Sequence, residues 1–295
     1  MLLKTIGYHL AGGLILVCLP TVLLAEDAAQ TSMQVLTPFG YRDRANVHEV
    51  LPGYDLIRMP DGHFRMENPT TGDHVDFPTA VGASHSTAPS ENGWISYAYW
   101  LNTTKSVVTS FTSVHEVPAA PSTYDGQTIF EFNAIEPSTY DAILQPVLQY
   151  GESTAGGGEY WAVASWYVTS SEAYYSKLAK VATGKKLTGE IKLTSHKGSD
   201  YSYSCEFEGI KASKFSMKNI AELTWVVPGS LEVYNVDQCS DLPNTSFTKF
   251  SDINVRASKK TPSISWTADD YNTTCSVQTT IVTNGGDNGA INIYY

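Results

Sequence analysis

The stretch that decides the fold is "AILQPVLQYGESTAGGGEYWAVASWYV", which runs from Ala142 to Val168. Two runs rich in apolar, β-branched and aromatic residues flank a glycine-rich centre, a pattern typical of two strands joined by a hairpin. Alternation puts Gln145, Val147 and Gln149 on one face of the first strand. Pro146 cannot donate to a neighbouring strand, so it predicts an edge, a bulge or a bend beside Gln145.

Outward from this hairpin, the sequence after Trp94 repeats the same pattern in short segments separated by turn-forming residues. No long amphipathic helical pattern competes with it. The alternating segments include "WISYAYW", "VVTSFTSV", "TIFEFNAI", "KLTGEIKLTS", "DYSYSCEFEG", "ELTWVVPGSLEVY" and "AINIYY". Such spacing predicts an all-β sandwich over residues 94–295, with the C-terminus paired into a sheet.

Two further segments precede the predicted sandwich. Residues 1–25 place Lys4 before an apolar run broken by glycine and proline, which favours a cleaved signal peptide over a membrane anchor. Residues 26–93 are rich in Pro, Gly, Asp and His and predict a leader or propeptide-like segment. Its histidines could act as a pH sensor, but a solvated loop segment is the expectation that we favour. The predicted location is secreted and extracellular, with no membrane contact after signal cleavage.

Charge and cysteine usage agree with that location. The net charge of −11 and a pI near 5.0 exclude a nucleic-acid partner, because phosphates would be repelled. Cys205, Cys239 and Cys275 remain once the signal has gone, and an oxidising compartment favours one disulfide. We expect Cys239 to pair with Cys275, since both lie in turn-rich late segments, although the sequence alone allows three pairings.

Three sequons would carry glycans on surface loops in a eukaryotic source, at Asn102, Asn244 and Asn272. Common catalytic signatures are absent: there is no His-Glu-x-x-His, no Gly-x-Ser-x-Gly, no phosphate-binding glycine loop and no Cys-x-x-Cys. We therefore predict neither a metal nor a cofactor, and we expect a monomer.

The remaining candidates for chemistry are polar groups on strands. Gln145 is one, and Glu222 in "AELTWVV" is another. A single amide or carboxylate on a strand is more often on a solvated sheet face than in a catalytic site, so the residues alone leave both readings open.

The order of several short motifs resembles that of the glutamic peptidases of the eqolisin family. This resemblance implies a concanavalin A-like antiparallel β-sandwich of two curved sheets. The resemblance covers about residues 106–235. The motifs in this chain are Val117-Pro118, Asn133-Ala134-Ile135-Glu136, Ile143-Leu144-Gln145, Gly156-Gly157-Gly158, Ser165-Trp166-Tyr167 and Ala221-Glu222-Leu223.

That resemblance implies an acid endopeptidase made as a precursor and acting on polypeptide. Glu222 would be the general base that activates water, and the Gln145 amide would stabilise the oxyanion. Three departures from the family pattern lie at Ser165, Glu136 and Leu223, where the family has an acidic residue, an aspartate and a tryptophan.

We predict substrate contacts for four further residues: Glu136, Gln149, Trp161 and Trp166. The alternative is a non-catalytic, lectin-like sandwich that binds glycans or peptides through the aromatic rings of Tyr160, Trp161, Trp166 and Tyr167.

Overall fold

A computed structural model describes residues 33–80, 93–271 and 275–295 of the chain. Two large sheets and one separate hairpin account for the strands in these ranges. The predicted signal peptide and residues 26–32 and 81–92 of the predicted leader lie outside the described residues.

The first sheet has nine strands in the order β19-β7-β17-β9-β10-β11-β12-β3, with β13 also paired to β11. Its strands are β3 (Val47–Glu49), β7 (Gly93–Leu101), β9 (Thr128–Pro137), β10 (Ala142–Ser153), β11 (Gly156–Thr169), β12 (Ala173–Tyr175), β13 (Ala179–Lys180), β17 (Leu223–Tyr234) and β19 (Thr267–Asp270).

The second sheet has ten strands in the order β20-β21-β18-β8-β14-β15-β16-β4-β5-β6. Its strands are β4 (Asp55–Arg58), β5 (Phe64–Glu67), β6 (His74–Phe77), β8 (Val108–Glu116), β14 (Lys186–Lys197), β15 (Asp200–Phe207), β16 (Phe215–Ile220), β18 (Phe247–Ala257), β20 (Gln278–Thr283) and β21 (Gly289–Tyr294). The separate hairpin is β1 (Gln34–Thr37) and β2 (Gly40–Asp43). Short 3-10 turns lie at Arg44–Asn46, Lys211–Ser213 and Cys239–Asp241.

The predicted all-β sandwich is confirmed. Apolar side chains from both sheets form one large core between them, to which β10 contributes Leu144 and Leu148. The hairpin of β10 and β11 is also as expected, with Ala142 paired to Thr169 at its open end. Pro146 lies in a central strand rather than at an edge, and the pairing of β10 with β9 skips Gln145 and Pro146. The missing N–H of Pro146 therefore interrupts one ladder without bending the strand out of the sheet.

The segment expected to be a solvated leader is largely built into the sandwich. β3 joins the first sheet by parallel pairing with β12, and β4 joins the second sheet by parallel pairing with β16. Leu56 of β4 is fully buried in the main core. The described strands before and after residue 93 therefore share the same two large sheets, and the domain boundary at residue 93 stays a prediction. Whether the leader is cleaved stays a prediction.

The late segments behave as the sequence predicted. β21 lies between β18 and β20, so the C-terminal strand is paired on both sides. The Tyr295 hydroxyl continues this attachment, because it donates to the buried Glu131 carboxylate and lies 2.7 Å from Thr248 Oγ1. The Cys239–Cys275 disulfide is confirmed, with 5.4 Å between its Cα atoms, and Cys205 is a buried free thiol. Among the described residues, no helix has the length and apolar character needed to cross a membrane.

Candidate functional site

One face of the first sheet points away from the second sheet and carries its own apolar cluster. The buried members of this cluster come from the first sheet alone, whereas the main core draws on both sheets. Representative members are Phe132 on β9, Val147 on β10 and Trp166 on β11. The β1–β2 hairpin packs against them with four side chains, Val35, Leu36, Phe39 and Tyr41. We call this surface the covered face.

Gln145 lies on the covered face with no exposed surface. It pairs with Trp166 on β11, and on its other side the register continues through Ala134 on β9 to Val227 on β17. Neither its amide oxygen nor its amide nitrogen hydrogen-bonds to any described residue. A buried amide without partners costs a few kcal/mol, so its presence in a folded chain calls for an explanation.

Glu136 is on the same face as Gln145, on the neighbouring strand. Its position on β9 is two residues beyond Ala134, which makes the two side chains diagonal neighbours with Cβ atoms about 7 Å apart. Glu136 also pairs with Trp225 of β17 and is 2% exposed. Burial raises the pKa of its carboxyl from 4.5 to about 8. The structure thus puts a carboxyl and an unpartnered amide within reach of one bound group.

The structure does not bring Glu222 to Gln145. The Glu222 carboxylate accepts a hydrogen bond of 3.2 Å from Tyr201 Oη of β15, in the second sheet. Leu223, the next residue, pairs with Pro137 at the end of β9. Strand spacing and rise put the Cα atoms of Gln145 and Glu222 about 15 Å apart. Their proposed partnership stays a prediction, which the local geometry does not favour.

Gln149 is buried on the covered face, but its amide is already used. Its Nε2 donates to the carbonyl oxygens of Gly151 and Gly156 at 2.8 Å, and its Oε1 accepts from Ser153 Oγ. These bonds hold together the turn of the β10–β11 hairpin. Gln149 therefore stabilises the hairpin turn, and its amide is not free to contact substrate.

The two tryptophans expected to contact substrate are on opposite faces of β11. Trp166 and Trp161 are five residues apart, an odd number, so alternation along an unbroken strand separates them. Trp166 is on the covered face, while Trp161 packs on Tyr150 in the main core. Tyr167 is also in the main core. The open aromatic surface expected for the lectin-like alternative is therefore not formed by these residues.

A different aromatic group borders the covered face beside Glu136. Its centre is Trp225, whose ring lies 6.0 Å from that of Trp94, 5.4 Å from Tyr99 and 5.4 Å from Tyr140. Tyr140 is half exposed and Trp94, Tyr99 and Trp225 are partly buried. This aromatic group was not predicted from the sequence, although the alternation of Tyr97 and Tyr99 in β7 indicates an aromatic face on that strand.

Glu232 of β17 anchors the hairpin to the covered face. Its Oε1 accepts from the Phe39 backbone N–H at 2.8 Å and from Tyr234 Oη at 2.6 Å. The side chain is fully buried, and burial raises the pKa of its carboxyl to about 7. Arg42 makes a second anchor, because its Nε and Nη2 both donate to the Thr169 carbonyl oxygen.

The sequons differ in their accessibility. Asn244 is exposed and suits a glycan. Asn102 is 7% exposed and its amide nitrogen donates to the Ser106 carbonyl, so the folded chain does not present it as expected. Asn272 lies outside the described residues. Within the described ranges, no group of three or more His, Cys, Asp or Glu side chains is placed to hold a metal.

No protein-family profile matches this sequence, and no curated protein matches it. Solved structures of glutamic peptidases are similar to it. Scytalido-glutamic peptidase with a peptide-based transition-state analogue is 16% identical, with a TM-score of 0.46. The same enzyme with another transition-state analogue inhibitor is 13% identical, with a TM-score of 0.44. SCP-B, a member of the eqolisin family, in complex with the tripeptide Ala-Ile-His is 16% identical, with a TM-score of 0.45. Each match covers 70% of this chain and 98% of the other.

Proposed function

We propose that this protein is a secreted endopeptidase that binds polypeptide on the covered face and cleaves it there in mildly acidic solution. The observation that carries the proposal is the placement of Gln145 beside Glu136, an unpartnered amide and a carboxyl on neighbouring strands of one face. The order of the short motifs supports the same reaction class.

Each side chain has a role that fits its chemistry. The Glu136 carboxylate would take a proton from a water molecule as the water oxygen attacks the scissile carbonyl carbon. The Gln145 Nε2 would donate to the oxyanion that develops there, and an amide remains a neutral donor at any pH. The proton held by Glu136 would then pass to the leaving nitrogen. In this proposal Glu136 takes the general-base role that the family resemblance implies for Glu222.

The pH range follows from the cause of the raised pKa of Glu136, which is burial. Water admitted to the face with substrate relieves part of that burial and moves the pKa from about 8 towards the ordinary 4.5. A general base must be ionised, so the rate should fall as the pH drops through the pKa of the uncovered carboxyl. Hydrolysis is therefore expected in mildly acidic to neutral solution and should fade in strong acid.

The test compares two glutamates by matched substitution. Hydrolysis of denatured casein is followed from about pH 2 to about pH 8 for the wild type, Glu136→Gln and Glu222→Gln, before and after limited proteolysis of the exposed turn at Arg44–Asn46. We expect Glu136→Gln to lose the pH-dependent activity and Glu222→Gln to retain it. Loss in Glu222→Gln alone would give the general-base role to Glu222, and no hydrolysis by any form would reject the peptidase.

The second candidate function is peptide binding without cleavage. This candidate is favoured by Val227, which lies opposite Gln145 on the far side of β9, because a valine offers no carboxylate there. This candidate predicts that the uncovered protein binds peptides and leaves them intact at every pH, which the same assay with mass spectrometry of the peptides would show.

Export is part of the proposal, supported by the apolar N-terminal run and by the disulfide. If the predicted leader is removed, the mature chain should start near residues 85–95. Such a start would remove β3 from the first sheet and three strands from the second, whereas a start after Arg44 would remove none of them. N-terminal sequencing of the secreted protein distinguishes these two starts, and a start at Glu26 would contradict any propeptide.

A further inference from the structure

The β1–β2 hairpin has a position unlike that of any later strand of the predicted leader. It pairs only with itself and belongs to neither large sheet, whereas β3 to β6 all extend one sheet or the other. It is held to the covered face by side-chain packing and a few hydrogen bonds. The Thr154 N–H and hydroxyl both donate to the Leu36 carbonyl, next to the anchors at Glu232 and Thr169.

Phe39 at the tip of the hairpin adopts a strained backbone. Its φ is +73°, in the left-handed region, and it follows Pro38 in the two-residue turn. This position normally favours glycine or asparagine, and a bulky aromatic residue there is uncommon. The strain is offset by contacts with the face, since the Phe39 ring lies edge-on to Trp94 at 6.3 Å and its N–H meets Glu232.

The segment that follows the hairpin is suited to cleavage. Arg44 and Ala45 are exposed in a short 3-10 turn. The next strand, β3, begins at Val47 and pairs with β12 in the first sheet. A cut in this turn would separate the hairpin while leaving every paired strand of both large sheets in place. Exposed turns are the usual sites of proteolytic nicking.

We propose that the segment Gln34–Asp43 is a detachable occupant of the covered face, bound where a polypeptide partner binds, and that a cut within Arg44–Asn46 allows it to leave. That the partner is a substrate rests on the proposed function. The occupancy itself rests on the contacts of the hairpin.

The hairpin also defines the chemistry that the face selects. An aromatic side chain lies against Trp94, and the backbone N–H of the same residue meets a buried carboxyl. A second aromatic ring, Tyr41, lies edge-on to Tyr234 at 5.7 Å. The next residue, Arg42, places its guanidinium on the Thr169 carbonyl. The preferred partner is therefore a peptide with a tight turn, two aromatic residues and an adjacent arginine.

The test uses the full chain with a recognition sequence for a site-specific endoprotease inserted between Arg44 and Ala45. The probe is a fluorescein-labelled synthetic peptide with the sequence of residues 33–43. The uncut protein should not bind it, and the cut protein, after gel filtration, should bind it and be competed by unlabelled peptide. A peptide with Phe39→Ala should bind at least ten-fold more weakly, while one with Met33→Ala, a position that is 68% exposed, should bind like the original.

A second measurement covers the case in which the cut protein unfolds. In the intact chain, Phe39→Ala weakens the hairpin's own attachment, so this variant should bind the labelled peptide where the intact wild type does not. Equal binding by cut and uncut forms, or no binding by any form, would overturn the inference. Peptide binding without hydrolysis would support the inference about the hairpin and would reject the proposed peptidase activity. Equal hydrolysis by the cut and the uncut chain would support the proposed peptidase activity and would overturn the inference that the hairpin occupies the binding face.

Discussion

Gln145 and Gln149 share a face of one strand, yet the molecule uses them differently. Alternation alone predicted the shared face, because period-2 geometry is local. The difference between them was not predictable, since the bulge between Tyr150 and Gly151 turns the hairpin back onto the Gln149 amide. The same limit explains Glu222, whose partner Tyr201 comes from a strand of the other sheet.

Replacing Gln149 with Leu should lower the free energy of unfolding by about 2 kcal/mol. The change keeps the buried volume but leaves the carbonyls of Gly151 and Gly156 without their amide donor, and unpaired buried acceptors carry that order of cost. Urea denaturation measures the loss, and the exposed Gln278→Leu provides the control. Equal stability of Gln149→Leu and the wild type would show that the amide bonds are not essential to the turn.

His115→Phe should stabilise the protein more at about pH 4 than at about pH 8. His115 is fully buried between Phe207 and Phe250, and burial lowers its pKa from 6.5 to about 3. Below pH 6.5 the unfolded chain binds a proton that the folded chain does not, so wild-type stability is lost as the pH falls.

At about 1.4 kcal/mol per pH unit between pH 6.5 and pH 4, the extra stabilisation of His115→Phe at pH 4 should reach about 3 kcal/mol. Urea midpoints of both proteins at the two pH values give the difference, with the exposed His74→Phe as control. A gain of the same size at both pH values would refute the role of titration.

At the scale of elements, the central strands were predictable and the N-terminal ones were not. The runs in β9, β10 and β11 are long and alternate clearly, so the hairpin and the sandwich follow from the sequence. β4, β5 and β6 have four residues each, too few to stand out from loop sequence. They form because β16 supplies a pairing partner for β4, which is information from tertiary structure.

Leu56→Ala in β4 should therefore destabilise the entire sandwich by about 3 kcal/mol. Leu56 has no exposed surface, and removing a buried leucine side chain leaves a cavity in the main core. Thermal unfolding by circular dichroism gives the measurement. Leu51→Ala, 45% exposed in the same segment, should have little effect. If both variants unfolded like the wild type, the leader would not be part of the cooperative unit.

At the scale of the whole molecule, three buried carboxyls set the dependence of stability on pH. Burial raises the pKa values of Glu131 and Glu232 to about 7 and that of Glu136 to about 8, from 4.5. Between pH 4.5 and these values the folded chain keeps protons that the unfolded chain releases, so stability falls as the pH rises.

The free energy of unfolding should accordingly drop by a few kcal/mol from about pH 5 to about pH 8. Glu131→Gln removes one of the three titrating carboxyls and should reduce the slope of the unfolding free energy against pH. The exposed Glu159→Gln should leave that slope unchanged. Urea midpoints across this range provide the measurement. Stability that rises with pH in this interval would mean that these carboxyls are ionised in the folded chain.

The most direct test of the account compares the hairpin-cut wild type with the hairpin-cut Gln145→Ala variant in casein hydrolysis at about pH 5. Gln145 is the proposed oxyanion donor, and loss of one such donor lowers kcat by about 100-fold or more. We predict hydrolysis by the wild type and a loss of that size in the variant, with unchanged binding of the labelled hairpin peptide. Equal rates in the two proteins, or no hydrolysis by the wild type, would contradict the account.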